Sequence, residues 1–131
     1  MRNDNEPLVC VCGSGLNSER CCAALHAGTR VANTAQELMR SRYAAYVLGL
    51  DDYLFATWHA STRPASLSDG EPVKWLGLSV KQAWDGGVDE AFVEFVARYR
   101  AGGGAAIRLH ELSRFVREDG RWFYVDGVFE D

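Results

Sequence analysis

The amino-acid sequence predicts an α+β fold, with N-terminal helices packed on one face of a curved antiparallel sheet. Three observations carry that expectation. Apolar residues recur at helical spacing through the first half and at a spacing close to two from Trp75 onward. The second half is cut by glycine-bearing turns at intervals that suit a meander of strands. At 131 residues, 47% hydrophobic and 24% charged, the chain is long enough for one domain with a substantial core.

The first long helix starts at Thr34-Ala-Gln-Glu37, a capping box whose threonine hydroxyl and glutamate side chain satisfy backbone N–H groups of the first turn. It runs to about Gly49, with Leu38, Met39, Tyr43, Tyr46, Val47 and Leu50 forming its buried stripe. Arg42 falls inside that stripe, either as a snorkelling or ion-paired core residue or as an anion contact facing a cavity. Asp51-Asp52 opens a second short helix over 53–59, and Pro64 ends it. Residues 63–72 read as the longest loop. Strands are expected over 75–84, 90–100, 105–117 and 121–126. Gly86-Gly87, Gly102-Gly103-Gly104 and Asp119-Gly120 are the turns between them, the last a strong hairpin signal.

Ahead of these elements stands a small cysteine-bearing head. All four cysteines lie in Cys10-Val-Cys12-Gly-Ser-Gly-Leu-Asn-Ser-Glu-Arg-Cys21-Cys22. Four thiolates supply the soft donors that a closed tetrahedral zinc site requires, and Gly13-Ser14-Gly15 allows a tight reversal between the pairs. Four thiolates around Zn²⁺ leave local negative charge, which calls for donors from the turn's N–H groups and from Arg20. Disulfides or redox-active thiols are the competing reading, though no C-x-x-C is present and neighbouring cysteines rarely pair. His26 either replaces one ligand or packs or caps the helix entry. The division expected is a metal-binding head over 1–28 and an α+β body over 29–131 with its own core.

Charge narrows the function classes. Lys+Arg 14 against Asp+Glu 18 gives −4, which argues against general nucleic-acid binding. All of those cations except Lys74 and Lys81 are arginine. The run from Met1 to Pro7 carries acids and lacks the apolar segment of a signal peptide, so a cytoplasmic address with reduced thiols is expected, and no membrane association.

Cys10-x-Cys12-x-Ser14-Gly15, five residues, then Cys21-Cys22 resembles the SEC-C motif, the zinc-binding tail also found on the SecA preprotein translocase ATPase. The resemblance implies one structural Zn²⁺ held by Cys10, Cys12, Cys21 and Cys22, with Cys22 where the motif usually has histidine. The order of helices and strands resembles the nuclear transport factor 2-like (cystatin-like) fold, a cone of helices against a bent sheet with a pocket between them. The runs Leu38-Met-Arg-Ser-Arg-Tyr-Ala-Ala-Tyr46, Ala56-Thr-Trp-His59, Trp75-Leu-Gly-Leu78, Leu109-His-Glu-Leu-Ser-Arg-Phe115 and Gly120-Arg-Trp-Phe-Tyr-Val-Asp-Gly127 resemble the YchJ-type (UPF-class) family. Leu112 and Ala60 depart from its pattern, which often has a polar residue and proline there.

Cones of this kind host ketosteroid-isomerase-like and polyketide-cyclase-like enzymes, so the residues facing the pocket decide the class. On the third strand Ile107, Leu109, Glu111, Ser113 and Phe115 share the apolar face, and Arg42 is the partner expected for Glu111. On the fourth, Trp122, Tyr124 and Asp126 share a face. The candidate pocket set is Arg42, Tyr46, Trp58, His59, Glu111 and Ser113. The reading favoured is a zinc-binding module for an unknown protein or small molecule, without catalysis. The alternative is an enzyme of the isomerase or cyclase kind built on Glu111 and Arg42. A ribosome or translocase adaptor is a third reading, and it expects a basic patch around Arg20 and Arg30.

Overall fold

The computed structural model describes residues 10–16, 21–67 and 73–130. Three helices, α1 (Cys22–Ala27), α2 (Ala35–Leu48) and α3 (Asp51–Ala56), precede four strands. These are β1 (Val73–Gly87), β2 (Glu90–Ala101), β3 (Ile107–Glu118) and β4 (Arg121–Glu130). They form one antiparallel sheet in the order β1-β2-β3-β4, with α2 packed against it. Among the described residues no helix is long and apolar enough to cross a membrane.

α2 begins where its sequence directs. The Thr34 hydroxyl accepts from the Glu37 N–H at 3.1 Å, and Gly49 closes the helix in the left-handed conformation. The Glu37 carboxylate turns to the Asn33 N–H and to Arg30 instead of completing the reciprocal bond to Thr34. Leu38, Met39 and Tyr43 are buried as expected, whereas Tyr46 at the far end is 40% exposed.

α3 is shorter than expected. It stops at Ala56: the Thr57 and Trp58 N–H groups still bond back to the Tyr53 and Phe55 carbonyls, but the Thr57 carbonyl and the His59 N–H turn to β4. The His59 N–H donates to the Tyr124 carbonyl at 2.7 Å and the Tyr124 N–H to the Thr57 carbonyl at 2.9 Å, a short parallel bridge centred on Trp58.

Two strand details also differ from expectation. β1 runs through Gly86-Gly87, and the turn falls at Val88-Asp89. Gly86 serves close approach: a Cβ there would lie 2.6 Å from the Phe92 ring. β4 continues to Glu130 and carries a bulge at Val125, so Tyr124 faces Phe115 while Asp126 faces Arg114. The bulge shifts the alternation, turning Asp126 outward to Arg114 and burying Val125. Asp126 therefore does not share the face of Trp122 and Tyr124. The Asp119-Gly120 hairpin forms as read, with both residues at positive φ.

Among the described residues the buried apolar side chains form two clusters. One joins Leu25, Leu38, Met39, Val93, Phe115 and Trp122. The other joins the four cysteines to Tyr43, Ala44 and Ala97, and Leu78 and Phe95 pack against both. The head is thus seated on α2 and the sheet, sharing the core of the body.

Candidate functional site

The cysteine cluster is assembled by the turn at 11–16 and the start of α1. The Cys10 N–H donates to the Leu16 carbonyl at 2.8 Å and the Gly13 N–H to the Cys10 carbonyl at 3.2 Å, with Gly13 and Gly15 both at positive φ. Cys21 and Cys22 stand at the first turn of α1. The four sulfurs lie within 4.8 Å of one another, all on buried residues and none in a disulfide. Cys12 to Cys21 is 3.5 Å and Cys21 to Cys22 is 3.8 Å. A tetrahedron with metal–sulfur bonds of about 2.3 Å has edges of about 3.8 Å, so the donors fit a metal ion.

The protonation of the thiols points the same way. A hydrogen bond from Cys22 holds the Cys12 thiol down to about 4, against the desolvation that would raise it. Cys22 is pushed far up by that same bond and by burial, and burial raises Cys21. Sulfurs this crowded oppose one another's ionisation, so holding all four as thiolates needs a cation. Two supporting side-chain contacts are not legible in the sequence: Ser14, marked there only as part of the turn, places Oγ 3.2 Å from the Cys21 sulfur, and Arg40 Nη1 donates to the Cys12 carbonyl at 2.7 Å. Arg20 lies outside the described residues. His26 is not a member of the cluster. It donates through Nε2 to the Ser41 carbonyl at 2.7 Å and sits edge-on to Tyr53. Arg30, read as half of a basic patch, is paired with Glu37 at 3.0 Å.

Between α2 and the concave face of the sheet lies a cavity of about 450 Å³. Five of the six candidate pocket residues line it: Arg42, Tyr46, Trp58, Glu111 and Ser113. His59 does not. The bridge to β4 turns it outward, to Ser61 Oγ at 2.7 Å and Glu118 Oε2 at 2.8 Å. Tyr43, Trp75, Phe95, Tyr99, Phe115, Tyr124 and Phe129 supply aromatic walls.

The expected Arg42–Glu111 ion pair does not form. Arg42, 6% exposed, donates through Nη1 to the Leu54 carbonyl at 2.8 Å and to Thr57 Oγ1 at 2.7 Å. Its guanidinium carbon lies 5.0 Å from the Trp58 ring centroid and 4.7 Å from that of Tyr124. Burial pulls its pKa below the ordinary value, opposed by the neighbouring tyrosines and Glu111. Glu111, 8% exposed, accepts at Oε2 from Ser113 Oγ at 2.5 Å and from the Tyr124 hydroxyl at 3.2 Å. Tyr124 therefore stands between the two charges, its ring against the cation and its hydroxyl on the anion. Burial, with the Glu111 charge adding to it, pushes the Tyr124 phenol well up. Gly127, opposite Ser113 in register, leaves the space that the Glu111 carboxylate occupies. Sequence alternation found Glu111 and Ser113. It did not find the hydroxyl of Tyr124 or the acceptor on Thr57, which depend on β4 meeting the end of α3.

Residues 34–127 match the family described as YchJ, middle NTF2-like domain. The chain belongs to this family. A UPF0225 protein of Chromobacterium violaceum is 54% identical over 125 residues, covering 92% of each chain. One from Xanthomonas campestris pv. campestris is 53% identical over 119 residues, 89% of this chain and 92% of that one. Among solved structures, a SEC-C motif containing protein from Rhodopseudomonas palustris superposes with a TM-score of 0.86 at 39% identity, covering 95% of this chain and 100% of that chain. Another from Psychrobacter arcticus gives 0.75 at 25% identity, covering 97% and 84%. The fold and family read from the motifs hold across this YchJ-like chain.

Proposed function

We propose that the protein is a zinc-bearing small-molecule-binding protein, in which the cysteine cluster braces the fold and the cavity receives the ligand. The observation that carries the reading is the cavity itself: about 450 Å³, walled by aromatic rings, with Arg42, Glu111 and Ser113 converging on it. Mostly apolar concave sites with a few fixed polar groups are the usual form of a ligand site, and this volume is in their range. Zinc is the metal that four thiolates at tetrahedral spacing favour. When bound it offsets half of the thiolate charge and cross-links the head. Four protein ligands leave no open position on it, so the metal supports structure and the cavity does the binding. Reduced thiolates of this kind belong in a reducing compartment, which makes the cytoplasm the address we propose.

Metal analysis of protein purified under reducing conditions is expected to give about one zinc per chain. Titration with small aromatic fragments is expected to shift the indole resonances of Trp58 and Trp75, assigned with Trp58→Phe and Trp75→Phe. A metal-free native protein would overturn the first part and a cavity that admits no fragment the second. One observation keeps an enzymatic alternative of the isomerase or cyclase kind: Glu111 Oε1 has no hydrogen-bond partner among the described residues. An enolisable ketone in D₂O separates the two, since only an enzyme of that kind would exchange its α-protons.

A further inference from the structure

The two charges in the cavity define a class of ligand, an inference that rests on the cavity being a small-molecule site. Arg42 and Glu111 are each more than nine-tenths buried, and both line the cavity. Each is satisfied on one side only. Arg42 Nη1 makes two hydrogen bonds into the protein and the guanidinium also lies beside the Tyr46 hydroxyl, while its Nε and Nη2 complete no hydrogen bond among the described residues. Both hydroxyl donors to Glu111 converge on Oε2, leaving Oε1 free among the described residues. None of these free atoms is among the fully buried polar atoms that lack a partner, which are the indole nitrogens of Trp58 and Trp122. With both residues nearly closed to bulk water, the cavity is what reaches those atoms.

We propose that the cavity takes a net-neutral amphipathic molecule with a carboxamide-type head, one that accepts from Arg42 and donates to Glu111, on an aromatic or alicyclic body. The reasons are electrostatic and steric. The site already holds one positive and one negative charge, so an ionic head would add an uncompensated buried charge, whereas a neutral head adds none. Free donors and acceptors on both sides gain most from a group that carries both functions, because unpaired buried polar groups are costly. Tyr43, Trp75, Phe95 and Phe115 offer rings to the body of the ligand. A cavity of about 450 Å³ lies in the usual range of small-molecule sites, room for a metabolite of one or two rings.

Benzamide, benzoate and benzamidine test this, because they share a ring and a planar head and differ in head charge. Titration of the full-length, metal-loaded protein by ligand-observed NMR is expected to rank benzamide at least about tenfold tighter than either ion, a difference of about 1.4 kcal/mol. Glu111→Gln keeps a carbonyl oxygen for Ser113 and Tyr124 to bond and removes the negative charge. In that variant Arg42 is uncompensated, and benzoate is expected to overtake benzamide. Preference for an ion in the native protein, or an unchanged ranking in Glu111→Gln, overturns the inference. Equal binding of all three also overturns it while leaving the cavity a small-molecule site. If none of them reaches Trp58 or Trp75, the cavity reading falls as well.

Discussion

At the scale of single residues, the candidate site depends on what is missing at Gly127 as much as on what is present at Glu111. A Cβ at 127 would overlap the Glu111 carboxylate, so Gly127→Ala forces that side chain off its two hydroxyl donors. Overpacking of this kind costs about 1–3 kcal/mol, and denaturant unfolding should show it as a lower midpoint at unchanged slope. Gly103→Ala is the control: nothing lies within 4 Å of its Cβ, and the change should stay within about 0.5 kcal/mol. Equal midpoints for the two variants would show that β4 does not press on Glu111. Arg42 makes the complementary case. Arg42→Met keeps bulk but leaves the Leu54 carbonyl and Thr57 Oγ1 without their charged donor. Orphaned buried acceptors cost about 1–3 kcal/mol each, so this variant should be the more destabilised even though no ion pair with Glu111 is lost.

Among the elements, legibility followed how local the causes are. α2 is written in its own residues: Thr34 caps it, Gly49 ends it and the apolar stripe falls at helical spacing. Thr34→Ala should therefore cost about 1 kcal/mol, measured as a lower denaturant midpoint, and an unchanged midpoint would mean that packing alone sets the helix start. The Asp119-Gly120 hairpin is similarly local, its two residues holding the positive φ the turn requires. The end of α3 is not local. The Thr57 carbonyl and the His59 N–H leave the helix because the edge of β4 offers them backbone partners, and no pattern within the segment announces that. The bulge at Val125 is equally silent, since an alternating run reads the same with or without an extra residue. Those two long-range events bring Trp58, Thr57 and Tyr124 around Arg42, and they carry His59 away. Hence the sequence yields the faces of β3 and α2 but misassigns the partner of Glu111.

Across the whole molecule, two perturbations should report on how its parts are joined. Tyr43, Tyr53 and Tyr124 come from α2, α3 and β4, and burial raises the pKa of each. An unfolded phenol titrates near 10, so the stability gained by keeping these rings neutral is fully present below about pH 10 and is lost as the pH rises from there through their raised folded values. In a Tyr46→Phe, Tyr99→Phe background the remaining phenolate absorbance should appear together with unfolding, and phenolate of Tyr43, Tyr53 or Tyr124 forming in the folded protein would contradict the shifts. Metal removal is the second perturbation, and it decides whether head and body are independent. A head with a separate core would lose order alone on chelation. The packing argues otherwise: the cysteines share a cluster with Tyr43, Ala44 and Ala97, Trp75 packs on that cluster, and the Tyr43 and Trp75 rings are 5.6 Å apart. Tyr43, Trp75 and Ala97 also line the cavity, so the metal site and the ligand site have a wall in common. Four thiolates released from a cation repel one another and move against that wall. Chelation under reducing conditions should therefore shift the Trp75 indole resonance, assigned with Trp75→Phe, and weaken fragment binding. A Trp75 signal that stays in place while only amides of the head exchange faster would establish that the cysteine cluster stabilises nothing beyond itself.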